Sequence, residues 1–171
     1  MTTGLDKFSI PHFGLVLEEL FGILPPEIIG VPLPKTLDEL AIRTNSSPKE
    51  LEERLLRLEQ ETKGVEISCH ELNELLNDSE KAPGIMLLDV REPWEFAICH
   101  LPGSILLHAG DPDAIKAQML KSKLVVTVCH HGIRSFSAAM SFRSLGVHHT
   151  KSLAGGLDVW AKIIDPTLDK Y

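Results

Sequence analysis

The stretch "LVVTVCHHGIRSFSAAM", residues 124–140, sets a cysteine where an apolar run stops and a helical pattern starts, with an arginine five residues further on. A thiolate is a strong nucleophile. A segment that leaves a strand and enters a helix can turn several amides toward one point, while the helix N-terminus adds positive potential. Cys129, His130, His131, Gly132, Ile133, Arg134 and Ser135 therefore make a candidate anion cradle around a nucleophilic sulfur. Gly132 permits the tight backbone path, and the guanidinium of Arg134 adds fixed charge to the field. The adjacent histidines shape the pocket mouth and lend it partial positive charge. No metal is expected: successive side chains diverge, so Cys129, His130 and His131 should not converge on one tetrahedral centre, and His148 with His149 meets the same objection. No cofactor is expected.

The elements that must position this loop are short. "IMLLDV" (85–90), "SILLH" (104–108) and "LVVTV" (124–128) have the apolar density of strands buried on both faces. Between and after them "EPWEFAI", "DAIKAQML", "SFSAAMSFRSL" and "GGLDVWAKI" have helical spacing, the third beginning near Ser135. "SCHELNELL" precedes them as a helix capped by Ser68 with Glu71 as the reciprocal partner. Alternation of this kind predicts an α/β domain with a mainly parallel sheet covered by helices. Ligands of such sheets sit at the carboxyl ends of the strands, where "CHHGIR" falls.

From about Ile67 to the end the chain resembles a single-domain rhodanese, a sulfurtransferase family. The resemblance is carried by "LLDVREPWEFAICHLPGSI" (87–105), "VCHHGIRS" (128–135) and "LAGGLDVWA" (153–161). The tail "DPTLDKY" is similar to the end of bacterial stand-alone members and of rhodanese domains fused to ubiquitin-like-protein activating enzymes. It implies that Cys129 carries a sulfane sulfur as a persulfide, held by the amides from His130 to Ser135. The donor would be a small sulfur compound such as thiosulfate or a donor persulfide, and the acceptor a thiol or protein sulfur acceptor, or cyanide. It also implies that Asp89 and Arg91 brace the pocket wall and that His100, in an H-x-P-G turn with Pro102 and Gly103, is structural. Gly155 and Gly156 would form the turn before the last helix, and Trp160 would be core.

Cys99 departs from the pattern, because the family usually has glycine or alanine there. Two roles are open to it, a small core hydrophobe or a second thiol that resolves the Cys129 persulfide. Cys69, in the capped helix, is expected to be inert. Phosphatases and arsenate reductases of the cell-cycle type resemble rhodaneses but use C-x5-R, whereas Cys129 and Arg134 enclose four residues. The shorter ring suits one outer sulfur atom, and no acid lies in the loop to protonate an alkoxide leaving group. The expected reaction is ping-pong sulfur transfer through covalent catalysis. The alternative is a non-enzymatic interaction or redox-sensing module on the same fold.

The first 65 residues do not share the resemblance and are denser in negative charge, which sets a boundary near Thr62–Ser68 and divides the chain into 1–65 and 66–171. "FGLVLEELFGIL" places Phe13, Val16, Leu17, Leu20 and Phe21 on one helical face, stopped by Pro25 and Pro26. After the linker "GVPLP", Leu37, Leu40 and Ala41 form a short stripe. Ser47, Pro48 and Glu50 then open a helix with Leu51, Leu55 and Leu58 inward. This small all-α bundle is expected to form a homodimer interface or to pack on the α/β domain. Its spacing is similar to a helix-turn-helix, yet the second helix of the hairpin carries five glutamates against three basic residues, which argues against nucleic acid. The formal charge of -7 excludes binding to nucleic acid or membrane by bulk charge. Three scattered cysteines, no leader-like start and no long apolar run predict a soluble protein of the reducing cytoplasm.

Overall fold

Capping chemistry decides where the helical hairpin turns. In the computed structural model, which describes residues 37–169, helix α1 (Leu37–Thr44) ends at Asn45, whose left-handed φ of 49° is one that asparagine tolerates. Ser47 then caps α2 (Pro48–Glu61): its hydroxyl accepts from the Glu50 amide, the Glu50 carboxylate accepts from the Ser47 amide, and Pro48 fills the first turn. Leu40 and Ala41 of α1 and Leu51, Leu55 and Leu58 of α2 are buried, so the expected stripe is the inward face. The expected helix from Phe13 to Phe21, its dimer face and the linker "GVPLP" lie outside the described residues. The chain divides into two compact units, one ending at Lys63 and one beginning at Gly64.

The second unit is an α/β domain. Five parallel strands, β1 (Glu66–Ile67), β2 (Ile85–Asp89), β3 (Ile105–Leu106), β4 (Leu124–Val128) and β5 (Thr150–Leu153), form one sheet in the order β1-β5-β4-β2-β3. The helices are α3 (Cys69–Asn77), α4 (Pro93–Ile98), α5 (Pro112–Lys121), α6 (Ile133–Ser144) and α7 (Gly156–Ile163). Alternate strand residues enter different cores. Leu87, Val126, Val128 and Leu153 pack with Leu72 of α3 and Leu157 and Trp160 of α7, whereas Met86, Leu88 and Val125 pack with Ile115 and Met119 of α5. A sheet covered on both faces explains the unbroken apolar runs of β2 and β4.

Register brings the functional ends to one edge. Asp89 lies abreast of Val128, Thr127 abreast of Ser152, and Ile67 abreast of Leu153. The residues that follow β2, β4 and β5 therefore emerge side by side, which is where an open parallel sheet binds ligands.

Three local features differ from the sequence expectations. Ser68 caps α3 by accepting from the Glu71 amide, but the reciprocal half of the box is not made, and Glu71 Oε1 lies 3.9 Å from Lys151 Nζ instead. The strand expected over "SILLH" is confined to Ile105–Leu106, followed by a 3-10 turn over Leu107–Ala109. Strands β1 and β5 were not anticipated. Two residues give β1 no period to detect. Strand β5 reads "TKSL", yet Thr150 and Ser152 are buried: Thr150 Oγ1 donates to Val147 O (2.8 Å), and Ser152 Oγ lies 2.8 Å from Ser135 Oγ. Satisfied hydroxyls replace the apolar side chains that normally mark a central strand.

Candidate active site

Cys129 follows β4 directly, and its sulfur does the work of a helix cap. Gly132 occupies the N-cap of α6 and has no side chain to offer, so the first-turn amides need another acceptor. The Cys129 Sγ supplies it, accepting from the Gly132 amide at 3.1 Å and the Ser135 amide at 3.3 Å, with Ser135 Oγ also 3.3 Å away. Ser135 Oγ is held by Ser152 Oγ, and Thr127 Oγ1 bonds the Ser135 carbonyl at 2.7 Å. Anionic sulfur gains from these donors and from the positive end of α6. The side chains of Cys129, Ser135, Ser152 and Thr127 are all buried, so the sulfur sits in a dry, hydrogen-bonded seat.

The other side of the loop is fastened by α7. The amides of Leu157 and Asp158 donate to the carbonyls of Cys129 and His130, both at 2.9 Å. In planar trans peptides the amides of His130 and His131 run antiparallel to those carbonyls and so face away from α7. This approach requires Gly156: a Cβ there would lie 2.3 Å from Cys129 O and 2.5 Å from His130 O. Gly132, at a φ of 88°, is similarly confined, because a Cβ would meet the Gly155 nitrogen at 2.9 Å. The glycines in the two motifs thus serve one interface between loop and helix.

Arg134 does not stand alone in the loop. Its guanidinium binds both oxygens of Glu95 at 2.7 and 2.6 Å, with side-chain exposures of 11% and 3%. Glu95 also accepts from the Glu92 amide as the capping-box acid of α4. A second pair lies deeper: Arg91 makes a forked contact with Asp89 (Nε–Oδ1 2.9 Å, Nη2–Oδ2 2.7 Å), and its Nη2 donates to the Cys99 carbonyl at 2.6 Å. Both of its side chains are fully buried. Forked arginine–carboxylate geometry fixes orientation as well as charge.

Among the remaining expected residues, Ile133 is half-buried at the start of α6 and His131 is exposed. Burial lowers the His130 imidazole below its ordinary value, and the adjacent His131 ring and Arg91 add to this against the opposing pull of Asp158 and Glu95. The expectation that the two histidines diverge is not met. Their ring centroids are 4.1 Å apart, and with Asp158 they present donor atoms all within 4.8 Å of one another. Cys99 is buried in the core cluster, and burial pushes the Cys69 thiol up. His100 stacks on Phe96 at 4.0 Å and bonds its carbonyl through Nδ1, a structural arrangement. Trp160 is core.

Glu95, Ser152 and Asp158 belong to the site but were not singled out by sequence reasoning. Glu95 lay in a recognised helix, and the signal available was an acid within the short, largely apolar stretch "PWEFAI". Ser152 and Asp158 carried no signal beyond their neighbours.

The model of the rhodanese-like domain family matches residues 68–163. The chain belongs to this family. Among rhodanese-domain relatives, the probable adenylyltransferase/sulfurtransferase MoeZ of Mycobacterium tuberculosis is 30% identical over 117 residues, covering 66% of this chain and 28% of that protein. The thiosulfate sulfurtransferase GlpE of Pseudomonas aeruginosa is 38% identical over 81 residues, covering 47% of this chain and 73% of that one. The adenylyltransferase and sulfurtransferase MOCS3 of Drosophila virilis is 38% identical over 99 residues, covering 53% of this chain and 22% of that protein. The chain therefore spans between a fifth and a third of the two long relatives. The rhodanese-like match includes the cysteine loop and stops before the final residues; the helical hairpin lies outside it. No helix among the described residues is long and apolar enough to cross a membrane.

Proposed function

We propose that the protein is a sulfurtransferase that moves a sulfane sulfur through a persulfide on Cys129. The Cys129 thiolate attacks the outer sulfur of thiosulfate, the sulfur–sulfur bond of the donor breaks, and its electron pair leaves with sulfite. An acceptor thiolate, or cyanide in an assay, then attacks the outer sulfur of the Cys129 persulfide and regenerates the Cys129 thiolate. No proton has to reach the sulfite leaving group, consistent with a loop that holds no acid. The same steps accept a donor persulfide in place of thiosulfate, with a thiolate as the leaving group.

The observation that carries this reading is the seat of Cys129 Sγ, with two amides and a hydroxyl aimed at one sulfur at a helix N-terminus. The loop amides facing away from α7 can hold the negative charge of the outer sulfur. Arg134, tethered by Glu95, keeps the far side of the loop in place and contributes a cation near an anionic donor. His130, His131, Gly132, Ile133 and Ser135 would line the donor site, with Asp89 and Arg91 behind its wall. A reducing cytoplasmic setting fits three cysteines that are all free. Residues 1–65 would serve assembly, through a homodimer, rather than chemistry.

The test is the mass of the intact protein after thiosulfate treatment and gel filtration. A gain of one sulfur atom should map to the peptide holding Cys129, disappear on addition of cyanide with release of thiocyanate, and be absent from Cys129→Ala. Retention of thiosulfate-to-cyanide transfer by Cys129→Ala, or no sulfur gain in the native protein, would replace this reading with that of an interaction or redox-sensing module.

A further inference from the structure

At the cysteine loop lies a group of side-chain donors that form and break no bond in the sulfur transfer proposed above. His130 follows the nucleophile, His131 is the next residue, and Asp158 stands in the first turn of α7. The backbone holds these positions together, because the Asp158 amide donates to the His130 carbonyl at 2.9 Å and the neighbouring Leu157 amide to that of Cys129. Two imidazoles and a carboxylate thus come from two elements that are locked to each other independently of any ion, and one donor atom from each lies within 4.8 Å of the others.

We propose that His130, His131 and Asp158 bind a zinc-class divalent ion, with a fourth coordination position open to solvent. Nitrogen and carboxylate oxygen are the ligands that a borderline-soft ion of this class takes in three-ligand sites. Zinc bonds of about 2.1 Å at tetrahedral angles bring donors to roughly 3.4 Å from one another. The present spread therefore has to contract by about 1.4 Å at most. The exposed ring of His131 has the freedom to supply part of that movement, and the two imidazoles are tilted at 59° to one another rather than stacked. Asp158 is already engaged by Lys162, whose Nζ lies 2.7 Å from Oδ2. This contact is solvent-exposed and weak, and it orients the carboxylate while leaving one oxygen for a metal. The site uses no atom of the Cys129 side chain, which is turned inward to Gly132 and Ser135. Zinc occupancy is therefore independent of whether sulfur transfer occurs.

The experiment is calorimetric titration of the full chain with zinc chloride, on the native protein and on Cys129→Ala, with cobalt(II) as a spectroscopic stand-in. Both proteins should bind a single equivalent saturably with a Kd of about 1 μM or tighter. His131→Ala and Asp158→Asn, made in the Cys129→Ala chain, should each weaken binding by at least about tenfold, which corresponds to about 1.4 kcal/mol. Cobalt should give the intense visible bands of a tetrahedral site, and these should be lost in His131→Ala. His131 is exposed, so that replacement leaves the core intact, and unchanged far-ultraviolet circular dichroism verifies it. The proposal is overturned if Cys129→Ala shows no saturable binding, or if either ligand substitution leaves the affinity unchanged. Sulfur loading of Cys129 is not part of this readout, so failure here and failure of the sulfurtransferase reading are separable.

Discussion

Two arginine–carboxylate pairs stand behind the cysteine loop, and they are built differently. Asp89 and Arg91 are two residues apart and fully buried; the Arg91 amide also donates to Asp89 Oδ1, and its guanidinium donates to the Cys99 carbonyl. Arg134 and Glu95 are 39 residues apart, one in the loop and one on α4, and the arginine keeps some exposure. The first pair shapes one wall from within its own segment. The second ties the segment that follows Cys129 to a different element. A buried charge matched by its own carboxylate chiefly braces a wall, whereas a charge in the loop lies nearer the position proposed for an anionic donor, so the two arginines should fail in different ways when removed.

The largest effect belongs to the buried pair. Arg91→Ala strands Asp89 without a counter-charge and should cost about 3–5 kcal/mol of stability, measured by urea denaturation. A loss below about 1 kcal/mol would erase the distinction between the pairs. Next is Arg134→Ala, expected to lower kcat/KM for thiosulfate roughly ten- to hundredfold, about 1.4–2.8 kcal/mol, chiefly through KM because the unpaired Glu95 repels the donor. A fall confined to kcat would mean that the arginine positions the loop without being felt by the donor. Glu95→Gln should act with the opposite sign on KM and more weakly, by less than about tenfold, since it keeps a hydrogen-bond acceptor for the Glu92 amide but removes the negative charge beside Arg134. If both substitutions raise KM, the tie rather than the charge is what matters.

The smallest effect comes from a carboxylate that has burial without an arginine. Glu66 in β1 has no ion-pair partner among the described residues, and burial pushes its carboxyl above the ordinary value. Above both its folded and unfolded values it is charged in either state, and folding bears the cost of burying that charge. Glu66→Gln should therefore raise the melting temperature slightly at neutral pH. The gain should fade as pH falls through the folded value and vanish below the unfolded one, where the native residue is also neutral. A gain that persists in acid would point to packing instead.

Much of this architecture was legible because apolar density marks buried parallel strands and caps mark helix starts. Leu87, Val126 and Val128 announced β2 and β4, Ser47 with Glu50 announced α2, and loop length separated Cys129 from the phosphatase pattern. Strand β5 was not legible, since Thr150 and Ser152 are polar side chains whose partners come from distant segments. The same holds for Glu95. Its position suggested a helix, but the distance of 39 residues to Arg134 hides the pair from any local pattern. Adjacent histidines looked divergent because side-chain direction in an irregular loop does not follow from sequence spacing; the loop backbone there is fixed by bonds from α7. In each case the missing information was a long-range hydrogen bond.

The fastening of the loop to Gly156, Leu157 and Asp158 also has a bearing on biosynthesis. The ribosome delivers Cys129 well before α7, and strand β1, although translated before every other strand of the sheet, pairs only with β5. On a nascent chain the cysteine loop therefore emerges without the α7 amides that bond its carbonyls, and the sheet's first strand waits with an open edge until residues 150–163 are free of the exit tunnel. Chains stalled in that interval carry a cysteine loop not yet fastened by α7 and an unpaired strand, which makes the complete loop geometry a late product of translation.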